Sequence, residues 1–343
     1  MKWSRVELTF SKGLRVKFSG RTRALKQIEE YAMKGTYPVI VIYGPEGCGK
    51  TALFKQAMEI LKSYDYAIVH VNPIAGDEHE KLVTSEDIKH LLSEIPRPIG
   101  SAIRLIDAAI EILYKAIRRE IKRKIALLAD DVFQAIGLDQ AEVLVKRLLN
   151  MIEYPAIDYE KIVVLVASSE GVTKSRIGRH RWANMLAMWN MSREDYRELY
   201  EQIPEPKPSF NDVWKWTGGN PWLLAMLYEY DWDPKRVVDQ LIEFRRLITW
   251  TTLMGKEERE ILFKAIEDPD TLLNVLRKIP KLVDKLIELN LVVEMFSRKD
   301  FLWIDMPPPD KDLELGIGEY YAWQTPLHRE AVKAALKRVR EKL

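Results

Sequence analysis

The sequence predicts an α/β fold in which a mostly parallel sheet is covered by helices and is followed by a largely helical C-terminal part. Three observations lead to this prediction. Short, almost continuous apolar runs rich in β-branched residues recur along the first two thirds of the chain, as in strands buried on both faces of a parallel sheet. Helical patterns separate these runs. After a proline-rich segment at residues 203–208, helical patterns predominate.

The composition is that of an ordinary globular protein. The 343 residues are 47% hydrophobic and 30% charged, which is enough apolar material for two or three domains. The first residues lack an apolar stretch of signal-peptide length, and no run reaches the ~18 apolar residues of a membrane span. The single cysteine, Cys48, excludes an intrachain disulfide and a zinc ribbon. These features predict a cytoplasmic protein without a membrane segment.

The sheet is predicted from its strands in chain order. Four strands are expected at residues 38–43, 66–71, 125–129 and 162–167, and a weaker fifth at 185–189. The helices expected between them cover residues 52–64, 103–121 and 140–151. This alternation is typical of a doubly wound α/β domain.

The C-terminal part is predicted to contain helices at residues 210–216, 222–230, 237–247, 256–266, 271–277 and 279–289. Two strands, 291–295 and 301–304, and a basic C-terminal helix follow. Three helices followed by a hairpin is the order of a winged helix. We therefore expect three domains: residues 1–200, a small helical domain at 201–248, and a winged helix at 249–343.

A glycine-rich motif follows the first strand and matches the pattern G-x-x-x-x-G-K-[ST] in full. Its residues are Gly44, Pro45, Glu46, Gly47, Cys48, Gly49, Lys50 and Thr51. Glycines allow the backbone to turn its N–H groups towards an anion, and the helix that follows directs its N-terminal dipole to the same place. The motif predicts a nucleotide-phosphate site in which Lys50 reaches the terminal phosphates and Thr51 ligates Mg²⁺. We interpret Cys48 as a small spacer in this loop.

Two acids end the third predicted strand. Asp130 directly continues the buried run and is the predicted carboxylate on the Mg²⁺ side, while Asp131 is the candidate to orient or deprotonate the attacking water. Capping of the following helix is the structural alternative for both acids. An alignment anchored on Gln134 would instead make Asp131 the metal-side acid and would leave Val132 at the position of the base. Because Asp131 is one methylene shorter than glutamate, we expect slow hydrolysis.

Polar and basic residues follow the fourth predicted strand. Ser168 is a candidate to sense the terminal phosphate, with turn capping as the equally weighted alternative. Among Arg176, Arg179 and Arg181, Arg179 is the first choice to stabilise charge on the transferred phosphoryl group, in cis or across a subunit boundary, because Gly178 precedes it. A solvated loop is the alternative for each arginine.

Taken together, these motifs make the chain similar to archaeal-type members of the STAND class of P-loop ATPases, which have an NB-ARC-like core. The similarity rests on residues 127–133 (LLADDVF), 218–224 (GGNPWLL) and 18–21 (FSGR), besides the less specific loop at 44–51. It covers roughly the first two thirds of the chain. NB-ARC proteins have an arginine beside the polar sensor residues of the fourth strand, whereas in this sequence Ser168, Ser169 and Glu170 follow Ala167.

The resemblance implies an ATPase core of the ASCE type at residues 1–200, with strand order 5-1-4-3-2. It also implies a helical lid at 201–248 and a winged helix at 249–343. Arg21 is then expected near the base, and Pro221 on the adenine side of the nucleotide. The expected cofactors are ATP or ADP with Mg²⁺, and the expected activity is that of a slow, nucleotide-controlled conformational switch.

The partners beyond ATP are left open by the sequence. The formal net charge is only +2, so binding to DNA would need a local basic face such as Arg329, Lys333, Lys337 and Arg340 in the last helix, or Lys278, Lys281 and Lys285 before it. A solvated helix face is the alternative. The winged helix is expected to bind DNA or a protein, and the chain to be a monomer or a nucleotide-dependent oligomer. A nucleotide-locked scaffold without turnover is a further hypothesis.

Overall fold

The structure is a computed structural model of the chain. It describes residues 3–95, 101–168, 177–178, 180–275, 278–295 and 297–340. The chain divides into two compact units. The first comprises Met1–Val6, Arg21–Tyr43 and Lys50–Ala187, and the second comprises Glu7–Gly20, Gly44–Gly49 and Met188–Leu343.

The described strands are, in chain order, β1 (Glu7–Ser11), β2 (Leu14–Lys17), β3 (Val39–Tyr43), β4 (Ala67–Val71), β5 (Leu82–Thr84), β6 (Lys124–Asp130), β7 (Lys161–Ser168), β8 (Ala183–Ala187), β9 (Val292–Glu294) and β10 (Tyr321–Trp323). The described α-helices are α1 (Thr22–Lys34), α2 (Lys50–Ser63), α3 (Ala102–Arg118), α4 (Val132–Ile136), α5 (Leu138–Glu153), α6 (Arg193–Glu201), α7 (Phe210–Thr217), α8 (Pro221–Glu229), α9 (Pro234–Phe244), α10 (Leu247–Leu253), α11 (Lys256–Glu267), α12 (Thr271–Val275), α13 (Pro280–Glu288) and α14 (Pro326–Arg340). A 3₁₀ helix at Glu86–Glu94 precedes α3.

The first unit is built on a six-stranded sheet with the order β5-β4-β6-β7-β3-β8. Five of these strands run parallel to their neighbours, and β5 pairs antiparallel with β4 at one edge. If the parallel strands are numbered one to five along the chain, their order across the sheet is 5-1-4-3-2. The predicted α/β fold with a mostly parallel sheet is confirmed.

Both faces of this sheet are buried. Val41, Val69 and Leu127 belong to an apolar cluster that includes residues of α3 and α5. The alternate residues, such as Ile42 and Leu128, are fully buried as well. The helix α2 packs along β4, β6 and β7. Burial on both faces explains why these strands have continuous apolar runs rather than alternating ones.

The predicted strands correspond to β3, β4, β6, β7 and β8. The weaker fifth prediction, 185–189, is observed two residues earlier, at Ala183–Ala187. The edge strand β5 was not predicted, because its three residues, Leu82–Thr84, are too few to form a recognisable pattern.

The second unit is mostly helical and contains two small antiparallel sheets, β1-β2 and β9-β10. The helix α14 packs against α7, α9, α10 and α11. Its buried residues join one apolar cluster with Leu227 of α8, Leu241 of α9 and Leu262 of α11. The predicted basic C-terminal helix is therefore confirmed as a helix, and its apolar face forms part of the core.

One predicted strand is wrong. Within residues 301–304, Phe301 and Leu302 lie in a 3₁₀ helix at Asp300–Leu302, and β9 pairs instead with β10. The indole N–H of Trp323 in β10 donates to the carbonyl of Ala265 at 2.9 Å, and the ring is fully buried. Burial of this aromatic strand places the second strand about twenty residues further along the chain. The predicted helix 271–277 is observed at Thr271–Val275, and its last two residues lie outside the described ones.

The described helices also bear on the membrane prediction. Among them, none is both long and apolar enough to cross a lipid bilayer.

Candidate functional site

The glycine-rich motif is divided between the two units. Gly44–Gly49 belongs to the second, whereas Lys50 and Thr51 begin α2 in the first. Along the chain the motif follows β3, so it has the strand, loop and helix order that a phosphate loop requires. The Lys50 side chain is buried. We call Gly44–Gly49 the phosphate loop below.

Two glycines of the phosphate loop are required by close packing within the second unit. A Cβ atom on Gly44 would lie 1.9 Å from the carbonyl oxygen of Met188. A Cβ atom on Gly47, whose φ is +74°, would lie 2.4 Å from the Cβ atom of Trp222. Neither position can accept a side chain without moving the backbone at Met188 or the partly buried side chain of Trp222. The N–H of Cys48 donates to the carbonyl of Pro45 at 3.3 Å and closes a tight turn within the loop.

Cys48 is fully buried in this loop. Its Sγ lies 3.8 Å from the carbonyl oxygen of Met188. A buried small thiol fits the interpretation of Cys48 as a spacer.

Hydrogen bonds from distant residues of the second unit hold the phosphate loop. The Asn220 amide donates to the Glu46 carbonyl at 2.9 Å, and the Trp222 N–H donates to the Gly47 carbonyl at 3.3 Å. The Glu46 N–H donates to the side-chain oxygen of Gln324 at 3.1 Å. Asn220 also donates to Asn190 at 2.9 Å, and Asn190 donates to the Gln324 carbonyl at 2.8 Å. Asn220, Asn190 and Gln324 thus form one connected network that is bonded to the loop.

The Glu46 side chain has a charged partner. Its carboxylate forms an ion pair with the guanidinium of Arg245, the residue that follows α9. The side chain of Arg245 is 18% exposed and that of Glu46 38% exposed. Glu46 is thus held through its N–H, its carbonyl and its carboxylate.

In the first unit, Asp130 ends β6 with 1% of its surface exposed. Neither of its carboxylate oxygens makes a hydrogen bond of ordinary geometry with the described residues. Burial raises the pKa of Asp130 to about 7, and the nearby Asp131 carboxylate adds to the increase. The Thr51 hydroxyl and the ammonium of Lys50 act in the opposite direction. A carboxylate that is buried in this way, with a raised pKa, is stabilised in its charged form by a bound cation.

The geometry of this acid fits Mg²⁺. Mg²⁺ keeps several waters and is bound by one or two protein oxygens together with substrate phosphates. Thr51 and Asp130 offer such oxygens, and the Thr51 hydroxyl is near enough to influence the Asp130 carboxylate. Among the described residues, no cluster of three or more His, Cys, Asp or Glu side chains is arranged to hold a metal on its own.

Asp131 follows in an unusual backbone conformation. Its φ is +49° and its ψ is +22°, the left-handed region, at the N-cap position of α4. The Asp131 side chain makes no capping hydrogen bond, so capping of α4 does not explain why an aspartate stands at this position. Left-handed backbone at a non-glycine residue costs free energy and is frequent at functional positions.

A buried histidine, which no sequence pattern predicts, lies near this acid. His70 of β4 places its Nε2 3.9 Å from an Asp130 carboxylate oxygen, beyond hydrogen-bond length, with the Phe54 ring edge-on to its own. Burial lowers the pKa of His70 to about 4, and the Lys55 ammonium adds to the decrease. His70 is therefore neutral at pH 7 beside the carboxylate.

The remaining predicted site residues are placed as follows. Ser168 ends β7, is buried, and pairs in register with Tyr43 at the end of β3. Arg21 is buried at the N-cap of α1 with φ +56°. Pro221 is the first residue of α8, a position where proline is favourable. The roles proposed for these residues remain predictions.

The structure describes only part of the predicted arginine cluster. Arg176 and Arg179 lie outside the described residues, while Arg181 is exposed. The assignment of Arg179 to the transferred phosphoryl group stays a prediction.

The predicted basic surface is partly neutralised. Lys285 forms an ion pair with Glu288 at 2.6 Å, and Lys333 one with Glu330 at 3.7 Å. The guanidinium of Arg329 donates to the carbonyls of Leu313 and Glu314. These contacts direct three of the predicted cations towards the protein itself.

Comparison with known proteins identifies a family and several distant structures. A model of the family described as an ATPase domain predominantly from Archaea matches residues 18–227. No curated protein sequence matches the chain.

Three solved structures illustrate the structural similarity. The Walker-type ATPase PABY2304 of Pyrococcus abyssi is 13% identical with a TM-score of 0.49, over 97% of this chain and 100% of that one. The ORC2 protein of Aeropyrum pernix, in ADPNP–ADP complexes, is 14% identical with a TM-score of 0.40, over 92% and 94%. The ORC1 protein of Aeropyrum pernix, in complex with DNA, is 15% identical with a TM-score of 0.36, over 95% and 94%.

Proposed function

The chain belongs to the family of ATPase domains found predominantly in Archaea, and we propose that it is a nucleotide-controlled conformational switch. In this proposal it binds ATP with Mg²⁺ and hydrolyses it slowly to ADP and phosphate. The supporting observations are the complete phosphate-loop motif and the buried acid beside Thr51.

The observation that carries the proposal is the Asp130 carboxylate. A carboxylate that is 1% exposed and makes no hydrogen bond of ordinary geometry with the described residues is costly unless a cation or a proton compensates it. The hydroxyl of Thr51, the last residue of the motif, lies beside the Asp130 carboxylate. Mg²⁺ bound by Thr51 and Asp130 would neutralise negative charge on the phosphates.

The proposed roles of the other residues follow from their chemistry. Lys50 and backbone N–H groups of the phosphate loop, apart from that of Glu46, which donates to Gln324, bind the phosphates. Asp131 orients the attacking water and accepts its proton, in the conformation that its left-handed backbone imposes. Ser168 senses the terminal phosphate, and Arg179 stabilises the charge that develops on it. The alternative, with Asp131 on the metal side, stays open.

The base of the nucleotide is proposed to lie near Arg21 and Pro221. Support comes from the family match, which begins at residue 18 and ends at residue 227 and so includes both residues.

The proposed switch is the C-terminal part of the chain. We assign the core to residues 1–200, a helical lid to 201–248 and a winged helix to 249–343. The order α11, α12, α13, β9 and β10 supports the winged helix, and the hydrogen bonds from Asn220 and Gln324 to the phosphate loop support coupling to the nucleotide.

A pair of variants tests the ATPase proposal. Lys50→Ala is expected to reduce ATP binding and turnover by about a hundredfold or more, because it removes a charged donor to the phosphates. Asp131→Ala is expected to bind ATP normally and to lose roughly 100-fold or more in kcat. Binding is measured by isothermal titration with Mg²⁺ and ATP, and turnover by phosphate release.

The controls are Lys62→Ala, at an exposed position of α2, and Asp158→Ala, at an exposed position outside the site. Both should behave like the wild type. Unchanged phosphate release by Lys50→Ala would refute the proposal. Tightly bound nucleotide in a wild type that releases no phosphate would instead favour a nucleotide-locked scaffold.

A further inference from the structure

We propose that Arg245 is a positioning residue of the phosphate loop: it neutralises Glu46 so that the loop can accept a polyphosphate. The proposal deepens the proposed function and rests on nucleotide binding at the phosphate loop. Neither Arg245 nor Glu46 needs to touch the nucleotide for it to hold.

The contacts of Glu46 fix its place at the edge of the anion-binding backbone. Its N–H and carbonyl are both used, by Gln324 at 3.1 Å and Asn220 at 2.9 Å. Gly47, the next residue, has a positive φ of 74° and makes the turn of the loop. Backbone rotation therefore cannot carry the Glu46 side chain away without breaking these bonds.

The charge of Glu46 opposes the function of such a loop. ATP with Mg²⁺ remains anionic, and a carboxylate on the loop repels it with an energy that grows as the local dielectric constant falls. The Glu46 side chain is only 38% exposed, so water screens it incompletely. Arg245 forms an ion pair with this carboxylate and cancels its charge.

The position of Arg245 keeps its guanidinium next to the Glu46 carboxylate. It is the C-cap residue of α9, its backbone N–H donates to the Leu241 carbonyl at 3.1 Å, and its side chain is 18% exposed. An arginine at the C-terminus of a helix is also favoured by the helix dipole. The guanidinium thus reaches Glu46 from the C-terminus of a helix.

A direct contact between Arg245 and a phosphate is the competing assignment. The Nε atom of Arg245 is buried and makes no hydrogen bond with the described residues, so one donor remains for another acceptor. The two assignments predict opposite results when the charge of Glu46 is removed as well. If Arg245 acts through Glu46, removing both charges restores binding; if it holds a phosphate, binding stays weak.

The experiment compares the wild type with Glu46→Gln, Arg245→Gln and the double variant. Dissociation constants for ADP with Mg²⁺ are measured by isothermal titration at about 50 mM and 500 mM salt. We expect Arg245→Gln to weaken binding roughly tenfold at low salt and less at high salt, because screening reduces the repulsion. Glu46→Gln should bind as the wild type or more tightly. The double variant should return to within about threefold of the wild type.

Three further variants serve as controls. Arg245→Lys keeps the charge and should retain most of the affinity. Arg246→Gln removes an exposed charge at the next residue and should have no effect. Urea unfolding of Arg245→Gln and of the double variant shows whether each remains folded. If Arg245→Gln unfolds, the double variant is compared with Glu46→Gln, and an affinity about tenfold or more below that of Glu46→Gln would overturn the proposal.

The outcomes separate the hypotheses. Binding by the double variant that is as weak as that of Arg245→Gln would overturn this proposal and favour a phosphate contact. Wild-type affinity in Arg245→Gln would overturn it too. A wild type that binds no nucleotide would overturn the proposed function, whereas normal wild-type binding without rescue overturns only the role of Arg245.

Discussion

Substitutions of Asn220 can separate its two structural roles, which are to cap α8 and to donate hydrogen bonds to Glu46 and Asn190. Its Oδ1 accepts the N–H of Leu223 at 3.1 Å and caps α8, while its Nδ2 donates to Glu46 and to Asn190, each at 2.9 Å. The side chain is fully buried. In Asn220→Asp, the cap acceptor is kept and both donated hydrogen bonds are lost. In Asn220→Ala, all three are lost.

The magnitudes follow from these bonds. Loss of the cap costs about 1 kcal/mol of unfolding free energy. Loss of the donor leaves the buried Oδ1 of Asn190 without this partner and frees the Glu46 carbonyl, at about 1 kcal/mol for each. Asn220→Ala is therefore expected to lose about 3 kcal/mol. Asn220→Asp should lose about 2 kcal/mol, and more where its carboxylate faces the two acceptor oxygens.

The assay combines urea unfolding, followed by tryptophan fluorescence, with titration of ADP and Mg²⁺. Both variants are expected to bind nucleotide several-fold more weakly, because the phosphate loop loses a hydrogen bond that fixes its shape. Ser209→Ala is the matched control: Ser209 caps α7 by accepting the N–H of Asp212, has no hydrogen bond to the loop, and should cost about 1 kcal/mol without changing affinity. Wild-type affinity in Asn220→Asp would refute the reasoning.

Three further predictions concern stability. Asp270→Ala should lose about 2–4 kcal/mol in urea unfolding, because the N–H groups of Glu319, Tyr320 and Tyr321 lose their common acceptor. Burial lowers the pKa of His328 to about 3, and the positive charge of Arg245 adds to the decrease. Below about pH 6.5 the unfolded chain therefore binds a proton at this histidine that the folded chain does not bind. The free energy of unfolding is therefore unaffected by this histidine above about pH 6.5 and falls by about 2 kcal/mol by pH 5. In urea unfolding curves at pH 6.5 and pH 5, His328→Gln should show a smaller loss of stability on acidification. Gly44→Ala should unfold at lower urea concentration than the wild type, since its Cβ would meet the Met188 carbonyl; an unchanged midpoint would contradict that packing.

The parts predicted best from the sequence are those that local residues determine. The strand before the phosphate loop, the loop itself and the helix after it are contiguous, and each has a strong pattern of its own. Asp130 could be found because it ends a continuous apolar run. Its burial and raised pKa, in contrast, depend on packing that no local pattern reports.

The parts that could not be predicted depend on contacts between distant residues. Gln324 lies 278 residues after Glu46, and an isolated glutamine in a sequence has no signature of such a contact. His70 sits within an apolar strand, where a histidine is ordinarily a core residue. The left-handed backbone of Asp131 was likewise hidden, since aspartate is common in many conformations. The second strand of the β9-β10 pair was misplaced because residues 301–304 are as apolar and aromatic as the true strand.

The limits of the family match bear on how the phosphate loop is held. The match ends at residue 227, so it includes Asn220 and Trp222 but neither Arg245 nor Gln324. Two of the three contacts of Glu46, those of its N–H and its carboxylate, therefore come from residues beyond the region that the family model matches. A protein cut after residue 227 would keep the loop sequence and lose these contacts. Because the free loop would have more conformations to give up on binding, and an uncompensated carboxylate besides, its affinity for nucleotide should fall even though every residue of the motif is present.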